Sequence, residues 1–307
     1  MLMSTLLNRR NFTLGTAGLA LGAMLPGRAF GQEDKRTVTT KYGTYDIPAN
    51  PQRVVAIDSR LDLQPALALG LPVIGYGHSV PGAWVPGVEG LEFYGSEVNV
   101  EQVLASDPDL IICAGYNPDS PYWPANRLRE IAPVVPTATD QTWKAAFREL
   151  ATLLGMDGAG EAAIAEYDAL IADIKARHGD KLASKTVVSV QPAEGILYVM
   201  NGTTMLQPQV LADLGAKTLP PAPGQLYTSD EIPAEAFGET LGEVDGLLRA
   251  TTTPEGATLL DGLDLWQRLP AVASGAVIAS NGNINYGSIY SAIQVAKLVD
   301  ELYGKIA

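Results

Sequence analysis

Six short runs of apolar, largely β-branched residues recur along this chain and constrain its fold more than any other feature. Each run is continuous rather than alternating, which is typical of strands that are covered on both faces of a sheet. Gly, Pro or Asp residues bound the runs, which cover residues 54–57, 72–75, 110–112, 187–190, 246–248 and 276–279. The pattern therefore predicts buried, mostly parallel strands.

Helical patterns lie between several of these runs. Residues 61–69 form one that ends at Gly70, a natural left-handed stop, and the next strand follows at once, as in a parallel βαβ unit. A longer pattern without proline runs from 160 to about 181 and places Tyr167 and Ile174, with Ala163 and Leu170, on one face. At 1.5 Å per residue it predicts a helix of roughly 33 Å. Such a helix either connects two lobes or lies on the surface of one large domain.

Composition excludes several classes of function. The 307 residues suit about two domains, and 34 acidic against 21 basic residues give a formal charge of −13, which argues against a nucleic-acid partner. Cys113 is the one cysteine of the sequence, and it follows an apolar run in a predicted strand, so we interpret it as a small buried side chain. With only His78 and His178 as histidines, the sequence offers little for a metal held directly by protein ligands.

Residues 1–31 have the pattern of an export signal. They contain Arg9, Arg10 and Arg28, no acidic residue, and an apolar run at 14–25 that is too short to anchor the chain in a bilayer. The paired arginines resemble a twin-arginine signal; a general secretory signal is the alternative. Cleavage before Gln32 would leave no cysteine for a lipid anchor and a formal charge of −16. We expect a soluble periplasmic protein.

The two halves of the chain repeat one theme. Asn99 is placed to cap a short helix that carries Glu101 in its first turn, and Pro233 begins a second helix that carries Glu235. Each helix leads into a predicted strand. A first-turn glutamate is often no more than a partner of the helix dipole, but the equivalent positions of these two suggest a shared role.

Several segments together resemble the substrate-binding proteins of siderophore and vitamin B12 ABC importers. The resemblance covers nearly all of the chain after the signal, in order and with compatible spacing. It is carried by residues 47–56, 67–70, 99–104, 108–111, 211–215, 266–272 and 286–288.

The resemblance implies an α/β protein with two lobes, each built on a central, mostly parallel sheet and joined by a single long rigid helix. We expect lobes at 32–158 and 184–307, with the helix at 159–183 and the ligand in the cleft between lobes. Glu101 and Glu235 match the glutamates with which such proteins meet an inner-membrane permease, where charge pairing favours orientation and rapid association.

Within that family, the chain is most similar to the ferric-hydroxamate-binding branch. The segment 114–117 resembles the branch's Ala-Gly-Tyr-Gly and implies that Tyr116 reaches the iron–hydroxamate centre. Trp84, Tyr227 and Tyr286 match further cleft aromatics of the branch. Aromatic walls with one or two hydrogen-bond donors suit the apolar shell of a ferric trihydroxamate.

One position departs from the branch. An arginine that steadies the hydroxamate oxygens is replaced here by Gly95, and Arg60, at the end of the first strand, is the candidate substitute. A strongly anionic catecholate complex would need several cleft arginines, so neutral or cationic hydroxamates fit better. Trp123 could also rim the cleft, although it carries no matched motif.

The predicted function is capture of a ferric siderophore by a monomeric protein that delivers it to the permease, with ferric iron as cargo and no intrinsic cofactor. An enzyme is disfavoured because His178 lies in the long helix and no nucleophile motif accompanies His78. Haem or cobalamin on the same scaffold is the alternative cargo, with Tyr116 or His78 as an axial ligand for haem.

Overall fold

The structure is a computed structural model that describes residues 34–193, 196–220, 230–251, 256 and 258–307. The predicted export signal at 1–31 and the candidate ligand residue Tyr227 lie outside this part of the chain. Among the residues described, no helix is long and apolar enough to cross a membrane.

The first half of the chain is built on a parallel sheet. An antiparallel hairpin, β1 (Lys35–Thr40) and β2 (Gly43–Pro48), precedes it. Within the described residues five strands then pair in the order β5-β4-β3-β6-β7, with every pairing parallel. These strands are β3 (Val54–Asp58), β4 (Val73–Gly77), β5 (Glu92–Phe93), β6 (Leu110–Ala114) and β7 (Val134–Thr137). All residues of β3 and β6 are buried, as their continuous apolar sequence predicts.

Short helices connect the strands of this sheet: α1 (Leu63–Ala68), α2 (Val100–Ala105) and α3 (Ala125–Leu128). The first ends as predicted, since Gly70 adopts a left-handed φ of 75° just beyond it. The second begins as predicted, because the Asn99 side chain accepts hydrogen bonds from the backbone N–H groups of Glu101 and Gln102.

Two longer helices follow, α4 (Trp143–Leu154) and α5 (Asp157–Ser184). The helix predicted near 160–181 is thus present and slightly longer, and its geometry is interrupted at Gly179, where φ is 31° and ψ is −107°. Its fully buried residues include Ile164 and Ile171, whereas the predicted Ala163 and Leu170 are only partly buried. The buried face is therefore rotated by about one residue from the prediction at those two positions.

The second half of the chain carries a mixed sheet. Its strands are β8 (Val187–Ala193), β9 (Ile196–Val199), β10 (Asp230–Pro233), β11 (Gly246–Arg249) and β12 (Val277–Ala279). In the described residues they pair in the order β10-β9-β8-β11-β12, with β8, β11 and β12 parallel and β9 antiparallel to both neighbours.

Helices of this half are α6 (Leu206–Leu214), α7 (Phe237–Leu241), α8 (Asp264–Gln267), α9 (Pro270–Ala273) and α10 (Ile289–Lys305). The prediction of a helix that starts at Pro233 is wrong in detail. Pro233 ends β10, and Glu235 lies in a 3-10 helix, Ala234–Ala236, that precedes α7. The predicted α/β class with mostly parallel sheets and a long helix is confirmed. The domain boundaries at 158 and 184 stay predictions.

One buried core continues from the first sheet to the second. Val54 and Leu110 of the first sheet belong to the same apolar cluster as Leu248 of the second. Helices α5 and α10 pack against each other and extend this cluster between the two halves. Trp143 at the start of α4 also belongs to this cluster and is 5% exposed. The continuity of the core opposes large hinge motions between the lobes.

Candidate functional site

The carboxyl ends of three neighbouring parallel strands bring candidate residues to one edge of the first sheet. Asp58 is the last residue of β3 and Arg60 follows it; His78 follows β4, and Tyr116 follows β6. Ligands of parallel α/β sheets bind at this edge, because the loops after the strands converge there. Strand order thus collects residues that are far apart in sequence.

Arg60 and Asp58 form the polar centre of the site. The guanidinium contacts both carboxylate oxygens, with Nε 3.1 Å from Oδ1 and Nη2 2.9 Å from Oδ2. Asp58 is fully buried, whereas 15% of the Arg60 side chain is exposed. Oδ1 also accepts hydrogen bonds from the backbone N–H groups of Arg60 and Leu61. The carboxylate therefore holds the guanidinium in one orientation at the edge of the sheet.

A second buried carboxyl, Asp62, lies beneath the pair. Burial would raise the pKa of Asp58, but the charge and hydrogen bonds of Arg60, helped by His78, lower it to about 2. Burial and the Asp58 charge raise the pKa of Asp62 to about 7. Oδ2 of Asp62 accepts hydrogen bonds from the backbone N–H groups of Asp58 at 2.7 Å and Ala114 at 2.8 Å. One carboxyl thus stays ionised beside Arg60 while the other retains its proton near neutral pH.

Four rings form an aromatic group around the Asp58 carboxylate: His78, Tyr116, Tyr122 and Trp123. The Trp123 centroid lies 4.4 Å from that of Tyr116 and 4.9 Å from that of His78. Its indole Nε1 donates to Asp58 Oδ2 at 3.0 Å. Trp123 is therefore held in place by the same carboxylate that orients Arg60.

Tyr286 joins the site from the second half of the chain. Cζ of Arg60 lies 5.7 Å from the centroid of the Tyr286 ring, within cation–π range. Tyr116 and Tyr286 both line a small interlobe pocket of about 30 Å³, together with Leu61, Pro65 and Ser288. Rings from the two lobes therefore meet around Arg60.

Trp84 lies in a separate contact between the lobes. Its Nε1 donates to Ser291 Oγ at 3.2 Å, and the same oxygen accepts from Gln64 Nε2 at 2.8 Å. The ring is packed so closely that a Cβ at Gly82 would lie 2.4 Å, and one at Gly282 3.0 Å, from its carbon atoms. The structure thus gives Trp84 a packing role between the lobes; its contact with ligand stays a prediction, as does that of Tyr227.

The backbone explains why position 95 is not an arginine. Gly95 has a φ of 93°, and a Cβ there would lie 2.8 Å from the Glu97 carbonyl oxygen. Its own carbonyl oxygen accepts a hydrogen bond of 2.9 Å from the backbone N–H of His78. The backbone at position 95 therefore disfavours any residue with a side chain; that Arg60 takes the place of the missing arginine stays a prediction.

Sequence reasoning missed part of this constellation. Asp58 is not among the candidates predicted from the sequence, although an aspartate two residues before an arginine at a strand end is a usable signal. The sequence does not indicate that His78 belongs to this aromatic group, and its left-handed φ of 66° has no sequence signature. Its pKa is lowered chiefly by burial, and its Nδ1 is buried without a hydrogen-bond partner among the described residues. No group of three or more His, Cys, Asp or Glu in this part of the chain is arranged to hold a metal ion.

The two candidate docking glutamates are both exposed. Glu101 lies in the first turn of α2, and Glu235 lies in the 3-10 helix that precedes α7. Each side chain is therefore free of the buried core and accessible to a partner of opposite charge.

Comparison with known proteins places the chain among periplasmic binding proteins. The sequence profile of the periplasmic binding protein family matches residues 94–282, more than half of the chain. The probable siderophore-binding lipoprotein YfiY of Bacillus subtilis is 33% identical over 172 residues, which are 52% of this chain and 50% of that protein. The chain thus spans about half the length of this curated relative.

Solved structures share the fold. An FhuD fold-family periplasmic binding protein from Bacillus subtilis, a component of a ferrichrome ABC transporter, superposes with a TM-score of 0.73 at 21% identity, covering 88% of this chain and all of that one. FhuD of Vibrio cholerae with bound Fe³⁺–Desferal gives a TM-score of 0.65 at 23% identity, covering 84% of this chain and all of that one. At these identities the likeness concerns the fold.

Proposed function

Because this chain belongs to the periplasmic binding protein family, we propose that it captures a ferric siderophore of the hydroxamate type at the interlobe site and delivers it to an inner-membrane ABC permease. The observation that carries the proposal is Arg60, fixed by Asp58 and flanked by Tyr116 and Tyr286 from opposite lobes. Family membership also agrees with the prediction of a binding protein rather than an enzyme.

The chemistry of the site suits a hydroxamate complex. Asp58 neutralises the charge of Arg60, so the pair offers guanidinium hydrogen bonds without a net positive charge. Neutral hydroxamate oxygens can accept such bonds, and Tyr116, Tyr286 and Trp123 supply apolar area for the rest of the shell. A strongly anionic catecholate complex would meet an acidic protein with its central guanidinium already paired.

The size of the pocket indicates how the ligand would lie. Its volume of about 30 Å³ is far below the roughly 300–1,000 Å³ of a typical ligand pocket. A ferric siderophore would therefore rest in the mouth of the cleft, against Arg60 and the aromatic group, without being enclosed. The continuous core through α5 and α10 supports a mechanism with little closure of the lobes.

Delivery would use Glu101 and Glu235, which we propose to pair with basic residues of the permease. An exposed charge at the rim of an interface affects how the two proteins orient and how fast they associate. The named relative is a probable siderophore-binding lipoprotein, whereas this chain has Gln32 at the expected cleavage site. We propose a soluble, monomeric periplasmic protein, exported by the twin-arginine pathway through residues 1–31.

Haem is the second candidate cargo, because the structure places His78 in the aromatic group with Tyr116 nearby. Burial lowers the pKa of His78, which favours the neutral form of the ring. A neutral imidazole is the form that binds haem iron. The structure supports haem less well than a siderophore, because haem ligation by His78 or Tyr116 gives Arg60 and Asp58 no role.

Tryptophan fluorescence titration with a panel of ligands tests the proposal. The panel comprises ferrioxamine B, ferrichrome, a ferric catecholate, haemin and cobalamin. We expect saturable quenching by the ferric hydroxamates, because Trp123 lies 4.4 Å from Tyr116 at the expected contact surface. A Soret shift with haemin and no response to ferric hydroxamates would overturn the siderophore proposal in favour of haem.

A further inference from the structure

A second, much larger cavity lies between the start of α4 and the second half of the chain. Its volume is about 480 Å³, within the range of roughly 300–1,000 Å³ that small-molecule pockets occupy. Its lining is largely apolar and includes Trp143, Val188, Val199, Met200, Leu211 and Leu219. We name it the second-lobe cavity. An apolar cavity of about 150 Å³ already binds a benzene-sized molecule, so this one accommodates a longer apolar group.

Two buried polar atoms in the wall of this cavity lack partners. Ser189 is 2% exposed and Asn201 is 5% exposed, and both residues line the cavity. Ser189 Oγ and Asn201 Oδ1 make no hydrogen bond in the part of the chain that the structure describes. Asn201 Nδ2 does have partners, since it donates to the Pro220 carbonyl oxygen and to Asp230 Oδ2. Both atoms have almost no accessible surface, so an occupant of the cavity would not contact them and would meet a mainly apolar wall.

The charged residues of the lining neutralise one another. Lys144 Nζ lies 3.1 Å from Asp213 Oδ2 and 2.8 Å from Asp168 Oδ1. The Tyr167 hydroxyl donates to the same Asp213 oxygen at 2.8 Å. With its charges paired in this way, the cavity favours an uncharged occupant over a free anion or cation.

The second-lobe cavity adjoins the interlobe pocket. Trp143 and Gln209 line both of them, so these two side chains form the wall between the two spaces. The backbone N–H of Trp143 donates to Gln209 Oε1 at 2.8 Å, which fixes the position of the amide. An elongated ligand that displaces the Gln209 amide would lie with its polar head at Arg60 and its apolar tail in the second-lobe cavity.

We propose that the second-lobe cavity binds the aliphatic acyl chain of an amphiphilic ferric siderophore whose iron centre lies at Arg60 and Tyr116. This inference rests on the proposed function and specifies the class of siderophore. Apolar burial would make each enclosed methylene worth roughly a fourfold gain in affinity.

The test compares two ligands that differ only in chain length. Ferrioxamine B is acylated on its terminal amine with either an acetyl or a dodecanoyl group, so that both products have the same charge and iron centre. Affinities for the wild-type protein are measured by fluorescence titration below the aggregation concentration of the longer ligand. We expect the dodecanoyl derivative to bind at least 10-fold more tightly.

A cavity-filling variant tests whether the tighter binding of the dodecanoyl ligand arises in the second-lobe cavity. Ala216→Phe places a ring at a half-buried lining position, and Ala273→Phe, at an exposed position of α9 outside the cavity, is the matched control. Ala216→Phe should abolish the advantage of the dodecanoyl ligand and leave the affinity for the acetyl ligand unchanged. Ala273→Phe should retain both affinities, and circular dichroism confirms that the variants are folded.

The outcomes separate the two proposals. If the wild-type protein binds both ligands equally well, the acyl-chain inference is overturned while the proposed function stands, and this result does not depend on any variant. If the dodecanoyl advantage persists in folded Ala216→Phe, the chain binds elsewhere and the assignment of the cavity is wrong. If neither ligand binds, the proposed function fails, and the acyl-chain inference fails with it.

Discussion

The Arg60 guanidinium is held by the fully buried carboxylate of Asp58, with Nε 3.1 Å from Oδ1 and Nη2 2.9 Å from Oδ2. The two residues are separated by one position in sequence, and the carboxylate also accepts from Trp123 Nε1. One buried charge therefore orients both the guanidinium and an indole of the candidate site.

Replacing Asp58 should destabilise the fold and weaken ligand binding. Asp58→Asn leaves a largely buried guanidinium without its counter-charge, and breaking a buried pair in this way costs about 3–5 kcal/mol. Urea unfolding measures the loss. Asp46→Asn, at an exposed aspartate that accepts from Thr37, should change the free energy of unfolding by no more than about 0.5 kcal/mol. The double variant Asp58→Asn/Arg60→Met should be more stable than Asp58→Asn alone; equal or lower stability would contradict the pairing.

Asp62 should make stability depend on pH between about 4 and 7. Burial and the Asp58 charge raise the pKa of Asp62 to about 7 in the folded state, against about 4 in an unfolded chain. Its stabilising effect is fully present below pH 4 and is lost as pH rises toward 7, because only the unfolded chain releases the proton there. The ionisation of Asp58 affects stability only at lower pH, since its pKa is lowered to about 2.

Asp62→Asn should therefore remove part of the decrease in unfolding free energy between pH 4.5 and 7.5. Urea melts at a series of pH values measure this slope for the wild-type protein and the variant. Asp119→Asn, at an exposed aspartate, serves as the control and should leave the slope unchanged. Parallel curves for wild type and Asp62→Asn would show that Asp62 does not titrate in this range.

Gln64 should stabilise the contact between the lobes. Its Oε1 accepts from the backbone N–H of Ser291 at 2.9 Å, in the first turn of α10, and its Nε2 donates to Ser291 Oγ. Gln64→Leu leaves these buried groups unpaired at a cost of about 1–3 kcal/mol each. The same substitution at exposed Gln102 of α2 is the control. Hydrogen exchange should accelerate at the start of α10 in Gln64→Leu only; unchanged protection there would exclude this capping role.

The docking glutamates should affect transport without affecting capture. In cells that depend on this protein, Glu101→Ala/Glu235→Ala should lower ferric siderophore uptake at least 10-fold, because the charges that orient the carrier on the permease are lost. Affinity of the purified variant for ferrioxamine B should stay at the wild-type value. Glu97→Ala/Glu239→Ala removes two other exposed glutamates and should leave uptake intact. Undiminished uptake by the first pair would refute the docking role.

Much of the fold follows from local sequence, and the site follows less completely. Buried strands such as β3 and β6 are continuous apolar runs, so their type and position are fixed by short-range pattern. Strand β9 alternates and β10 carries acids; β9 forms because β8 offers an edge to pair with, and β10 pairs in turn with β9. Pairing between distant segments is not encoded in either segment alone.

The same limit applies to the candidate residues. Arg60, Tyr116 and Tyr286 were identified from strand ends and family resemblance, and the structure brings them together. Asp58 holds Trp123 through a hydrogen bond between residues 65 positions apart in sequence, and no local pattern predicts such a contact. The left-handed backbone of His78 depends on its bond to Gly95 in the same way.

Titration of ferrioxamine B into wild-type protein and Arg60→Met tests the central claim most directly. Loss of a charge-assisted hydrogen bond costs about 1.5–3 kcal/mol, so isothermal titration calorimetry should show binding to the wild-type protein and an affinity roughly 10- to 100-fold lower for Arg60→Met. Arg249→Met, at an arginine of β11 that pairs with Asp261, is the control and should bind as the wild type does. Equal affinity for wild type and folded Arg60→Met would contradict the assignment of the interlobe site.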